Sequence, residues 1–189
     1  MPTQLLVSLL PLAYADRRAE TCVIGLASGI TAGAVTLYED VERVDVVELE
    51  PATVPAARIF TPWNFGLLDD PRTRLILDDG RNHVLRAPPE AYDVLVSEPS
   101  NPWITGVSNL FTAEFFALGR ERVRPGGTWG QWVQLYGLGP DEVRALVRTF
   151  QHVFPDTWLF ETIPGSDALL LGRSAGAGLP IPHDLPLAP

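Results

Sequence analysis

The sequence predicts an α/β domain, a mostly parallel sheet with helices on both faces. Three observations predict it. Short apolar runs rich in Val, Ile and Leu alternate with helical patterns along the chain, the order expected of parallel strands joined by crossover helices. At 189 residues, with 46% hydrophobic and 20% charged positions, the chain is long enough for one real core without a disulfide or metal staple. No internal repeat and no second core pattern interrupts it, so residues 1–173 read as one domain, followed by a Gly/Pro-rich tail over 174–189 that lacks the apolar content to pack.

The elements follow in order. Residues 4–15 (QLLVSLLPLAYA) have a signal-like apolar stretch ending in Ala-Tyr-Ala, but no arginine precedes it and Pro11 interrupts it. The segment therefore reads as a first amphipathic helix packing on the domain. Residues 21–25 (TCVIG) form a short buried strand, leading through a glycine turn into a helical run to about Tyr38. Residues 43–48 (RVDVVE) form the second strand, and Pro51 opens a helix through Arg58 from the favoured first-turn position. A third strand spans 74–77, a helical turn 82–86 and a fourth strand 92–97 (YDVLVS). A Pro/Asn/Gly loop enters a helix over 112–122, closed by Pro125-Gly126-Gly127 ahead of a fifth strand over 128–135. Residues 141–152 carry Val143, Leu146, Val147 and Phe150 at helical 3-4-3 spacing. Residues 157–160 and 168–171 close the domain as a strand pair.

Composition excludes several chemistries. There is no lysine among the 14 basic residues, which removes a Walker phosphate loop and a Schiff-base mechanism. The single Cys22 permits no internal disulfide and reads as a small core residue. His83, His152 and His183 lack metal-ligand spacing, so no metal is expected. A net charge of −9 argues against nucleic acid as the partner and is compatible with amine substrates.

Right-handed crossovers place the loops after parallel strands along one edge, where open α/β sheets bind ligands. The candidate residues fall on that edge. Gly25 and Gly29, in the loop GLASGI with Ser28, let backbone N–H groups approach a ligand at the start of a helix. Ala27 and Ile30 stand where a dinucleotide fingerprint needs glycine, which disfavours a diphosphate. Glu48 ends the second strand, where an acid can accept both hydroxyls of a ribose. Asp79-Gly80 follows the third strand, where an aspartate can accept an adenine amino N–H, whereas Glu50 and Asp78 read as surface charges. Glu98 follows the fourth strand in SEPSNPW, placed to act as a general base, with Trp103 placed to wall a pocket. Gln131, Gln134 and Tyr136, at or beyond the fifth strand, either line an acceptor pocket or serve in cross-strand packing.

Six blocks carry a resemblance: VIGLASGITAG (23–33), VVELEP (46–51), DPRTRLILDDGRNHVL (70–85), YDVLVSEPSNPW (92–103), NLFTAEFF (109–116) and PGGTWGQWVQLYGL (125–138). In order and spacing they resemble the spermidine synthase family, the polyamine aminopropyltransferases, and more closely the spermidine-synthase-like domain of bacterial proteins fused to a membrane region. The resemblance implies a class I methyltransferase-like Rossmann fold and transfer of an aminopropyl group from decarboxylated S-adenosylmethionine to an amine such as putrescine. By position, Glu48 would bind the ribose, Asp79 and Gly80 the adenine, and Glu98 would take the place of the aspartate that deprotonates the attacking amine. Two departures concern the amine side. The family has aspartates at the positions of Ser28 and Asn101, and no block here matches its small N-terminal β-domain. Two alternatives stay open: a methyltransferase using S-adenosylmethionine itself, and a non-catalytic nucleoside-binding module. A cytoplasmic location, a homodimer and a membrane-region partner are expectations of the resemblance alone.

Overall fold

The computed structural model describes residues 2–101, 103–104 and 106–174. All of the expected tail except Ser174 lies outside the described residues. Seven strands form one sheet in the order β3-β2-β1-β4-β5-β7-β6. They are β1 (Glu20–Ile24), β2 (Arg43–Glu48), β3 (Thr73–Leu77), β4 (Tyr92–Ser97), β5 (Val123–Gln134), β6 (Thr157–Ile163) and β7 (Asp167–Arg173). The first five pair in parallel, and β7 runs antiparallel to both β5 and β6. The order reverses between β1 and β4, which are hydrogen-bonded to each other, so the crevice beyond their C-terminal ends is where such a sheet binds ligands.

Burial follows position in the sheet. All six residues of central β4 are buried, whereas edge strand β3 has no fully buried residue. Helices α1 (Pro2–Tyr14), α2 (Ile30–Val35) and α3 (Thr53–Ile59) cover one face, where Val7, Leu9 and Leu12 pack with Val23, Val46, Val94, Val96 and Leu169. Helices α4 (Gly80–Arg86), α5 (Ala113–Arg120) and α6 (Pro140–Val153) cover the other. There Phe115, Phe116, Trp129, Phe150 and Phe154 meet edge-to-face, tilted or stacked, with ring centroids 4.9 to 6.3 Å apart. These geometries add to the area term because ring edges and faces carry opposite partial charge. The first helix packs against α2 and β5, and the Pro11 carbonyl accepts the Thr128 hydroxyl at 2.9 Å. Among the described residues no helix is long and apolar enough to cross a membrane.

Several boundaries differ from expectation. Pro125-Gly126-Gly127 does not separate a helix from a strand but lies inside β5, which starts at Val123. Register passes from Tyr92 opposite Val123 to Val94 opposite Thr128, so Asp93 faces the extra residues of a bulge, where Pro125 forfeits no ladder bond. The run expected to reach Tyr38 leaves the α-helix at Val35, and the N–H groups of Thr36, Leu37 and Tyr38 bond three residues back, tightening its end. Pro51 and Ala52 form a turn ahead of α3, in which the Glu50 carboxylate accepts the Ala52 N–H at 2.9 Å. Helix α4 starts two residues early because the Asp79 carboxylate caps it, accepting the Asn82 N–H at 2.8 Å. Two 3-10 turns, Leu67–Asp69 and Val107–Phe111, had no sequence signal.

Candidate functional site

The ends of β1 to β4 open onto a cavity of about 490 Å³, bordered by Gly25, Ala27, Glu48, Asp79, Gly80 and Glu98, with Val107 and Leu110 from the 3-10 turn. The glycine loop is held between two strands. Gly25 N–H donates to the Val47 carbonyl at 2.9 Å, and Glu98 N–H donates to the Ile24 carbonyl at 3.0 Å. Gly25 has φ 103°, and a Cβ there would stand 2.7 Å from the Glu98 carbonyl oxygen, so only glycine fits. Ala27 is also left-handed, at φ 44°. A non-glycine residue in that region stores strain, a common feature of ligand-binding loops.

Glu48 accepts the Leu26 N–H at 2.9 Å on one oxygen and the Glu50 N–H at 2.8 Å on the other. Each carboxylate oxygen has a second lone pair, so the group can still accept ligand hydroxyls. Asp79 uses one oxygen to cap α4 and borders the cavity beside Gly80. Glu98 borders the same cavity. Burial pushes its carboxyl up to about 7; a hydrogen bond from the Thr31 hydroxyl opposes that shift and the nearby Asp167 charge adds to it. A carboxyl poised near neutrality is suited to moving a proton at ordinary pH.

The other sequence candidates lie off this cavity wall. Gly29 is left-handed at φ 79° and caps α2. Ser28 accepts the Gln4 side-chain N–H at 3.1 Å, which ties the glycine loop to the first turn of α1. Asn101 is half-buried in the loop after β4, its carbonyl accepting the Ile104 N–H. Gln131 is fully buried opposite Ser97, with its side-chain oxygen lacking a partner. Tyr136 is 52% exposed. Cys22 is buried and its thiol is pushed up by that burial, as befits a core residue.

Two residues at the site had no sequence signal. Thr31, in the first turn of α2, reaches Glu98. Asn64 is 1% exposed and clamps the glycine loop from 36 residues away, its side-chain N–H group donating to the carbonyls of Ser28 at 3.0 Å and Ala57 at 2.9 Å. Gly33 makes room for it, since a Cβ there would lie 2.1 Å from the Asn64 carbonyl oxygen.

Fold and site together define a class I methyltransferase-like Rossmann domain, with its acids gathered at the switch in strand order. The spermine/spermidine synthase domain model matches residues 4–164. The chain is 30% identical over 152 residues to a polyamine aminopropyltransferase of Salmonella paratyphi B, covering 80% of this chain and 52% of that protein. It is 28% identical over 164 residues to putrescine N-methyltransferase 2 of Nicotiana attenuata, covering 86% and 44%. A spermidine synthase crystallised with the transition-state analogue AdoDATO superposes with a TM-score of 0.82 at 20% identity, covering 91% of this chain and 60% of that one. The chain belongs to the spermine/spermidine synthase family. It spans about half the length of the curated relatives it matches.

Proposed function

We propose that this domain transfers an aminopropyl group from decarboxylated S-adenosylmethionine to a small amine such as putrescine. The observation that carries the reading is Glu98, a carboxyl held up to about 7 at the edge of a cavity that Glu48, Glu50 and Asp79 also line, of which Glu48 and Asp79 suit a nucleoside. Glu48 accepts the ribose hydroxyls and Asp79 the adenine amino group, with Gly80 beside it on the cavity wall. Glu98 takes a proton from the acceptor's ammonium, and the freed nitrogen attacks the propyl carbon next to sulfur. The C–N bond forms as the C–S bond breaks, the sulfonium becomes a neutral thioether, and methylthioadenosine leaves. Orienting the amine in line and removing its proton are the contributions of these residues.

A methyl-transfer reading draws on Ser28 and Asn101. Without acids at those places the site has less to repel the carboxylate of ordinary S-adenosylmethionine, and relatives named putrescine N-methyltransferase match over most of this chain. Calorimetry with decarboxylated donor, ordinary donor and methylthioadenosine tests both. Tighter binding of the decarboxylated donor, with a preference that widens in Ser28→Asp, supports aminopropyl transfer. Tighter binding of the ordinary donor supports methyl transfer, and no binding of any of the three removes the nucleoside site.

A further inference from the structure

The C-terminal hairpin brings a second acid to the Glu98 side of the sheet. Asp167, the first residue of β7, pairs with Gln134 at the end of β5. Its carboxylate accepts the Thr3 hydroxyl from α1 at 3.2 Å, which places it on the α1 face. Glu98 shares that face: Val94 and Val96 before it pack in the α1-side core, and alternation along the strand puts Glu98 on the same side. Gln131 pairs with both Ser97 and Leu170, so Glu98 stands level with Trp132 and Asp167 lies two residues further on. With one strand between them, their Cα atoms are on the order of 12 Å apart by sheet spacing and strand rise. Extended acidic side chains narrow that gap to one a short diamine can span.

Besides the Thr3 hydroxyl, an unpaired acceptor lies across the strand pair from Asp167. Gln134 is fully buried, its side-chain N–H group is spent on the Tyr136 carbonyl at 3.2 Å, and its side-chain oxygen has no partner. A buried acceptor left unpaired is costly, so a donor is wanted there. No arginine forms an ion pair with Asp167 among the described residues. An ammonium group brings three N–H donors and a positive charge, which matches a carboxylate beside an orphaned carbonyl.

We propose that Asp167, with the Gln134 side-chain oxygen beside it, holds the far ammonium of a diamine acceptor whose near nitrogen meets Glu98. The hairpin thus supplies charge that the glycine loop and the β4 loop lack at Ser28 and Asn101. The inference rests on the amine-transfer reading above and makes Asp167 a specificity-determining residue for diamines over monoamines.

The test compares putrescine with 1-aminobutane, as KM where turnover is measurable and as calorimetric Kd on the methylthioadenosine-loaded protein in every case. Asp167→Asn should weaken putrescine about tenfold or more, the scale of a lost charged hydrogen bond, and leave 1-aminobutane and methylthioadenosine unchanged. Asp167→Glu, one methylene longer, should recover diamine binding and shift preference from putrescine toward propane-1,3-diamine, which a merely structural role would not do. Thr3→Val removes the hydroxyl bond and keeps the charge, so its putrescine affinity should stay near wild type. Equal losses for putrescine and 1-aminobutane in Asp167→Asn, or no shift in Asp167→Glu, overturn the proposal. If the wild type binds putrescine and Asp167→Asn binds it as well, this inference alone falls. If the wild type binds no diamine and transfers to none, the amine-transfer reading falls with it.

Discussion

At the N-terminal edge of the parallel strands, Glu20, Asp45 and Asp93 all sit against arginines. Glu20 meets Arg43 at 2.8 Å, Asp45 meets Arg74 at 3.2 Å and Arg43 at 3.4 Å, and Asp93 meets Arg124 at 3.0 Å. Asp45 also accepts the Tyr92 hydroxyl, which in turn pairs with His83 at 2.8 Å. At the C-terminal edge, Glu48, Asp79 and Glu98 form no ion pair among the described residues; backbone N–H groups hold Glu48 and Asp79 instead. Cavities of similar size, about 460 and 490 Å³, border the two edges. Volume therefore does not separate them, but the pairing does. An acid paired with arginine fastens strands together, whereas an acid positioned by neutral donors keeps spare lone pairs for a ligand.

The largest effect expected from that contrast is on Glu98. Glu98→Gln keeps size and hydrogen bonding but takes no proton, so turnover should fall by roughly 100-fold or more with methylthioadenosine affinity little changed. Turnover that survives the substitution would leave Glu98 as a buried acid and nothing more. Next is Glu48→Gln, expected to weaken methylthioadenosine by about 1–3 kcal/mol, the scale for removing a charged acceptor. Calorimetry reads it, and unchanged affinity there and in Asp79→Asn would dissolve the nucleoside site.

Asp45→Asn tests the opposite edge. Breaking a buried ion pair costs about 3–5 kcal/mol, but Arg43 and Arg74 are 40% and 60% exposed and water compensates them. A loss of about 1–2 kcal/mol in denaturant unfolding is expected, with methylthioadenosine affinity unchanged. A drop in affinity matching that of Glu48→Gln would erase the distinction between the edges.

A further effect is the pH dependence of stability. In the folded chain the Glu98 carboxyl is raised from 4.5 to about 7. Its favourable contribution is fully present below its unfolded value and is lost as pH rises through the folded one. Melting temperature of the wild type should therefore fall relative to Glu98→Gln as pH climbs from 4.5 to about 7. Activity should rise over the upper part of that window as the base ionises. Parallel melting curves for the two proteins would mean that Glu98 does not titrate there.

Much of the architecture was legible in order. Apolar runs such as YDVLVS and VDVVE state their own strands, and the glycine after TCVI states a turn. Short periodic patterns carry that information within a few residues, and right-handed crossovers then send every strand end to one edge. This is why Gly25, Glu48, Asp79, Gly80 and Glu98 could be placed together from sequence, and why they line one cavity. Pro125-Gly126-Gly127 misled because a bulge inside a strand uses the same residues as a loop.

The sequence by itself determined the α/β order, the strand ends and the acids that stand on them, because each depends on neighbours a few positions away. Tertiary structure alone decided which acids are tied up by arginine and which are left for a ligand. Arg74 neutralises Asp45 only because β3 lies beside β2, and Glu98 is lifted to about 7 only because folding buries it. Likewise Asn64 reaches Ser28 across 36 residues, and the Asp167 charge acts on Glu98 from the far hairpin. Desolvation and ion pairing act through space between segments distant in sequence, so no local pattern of residues encodes them.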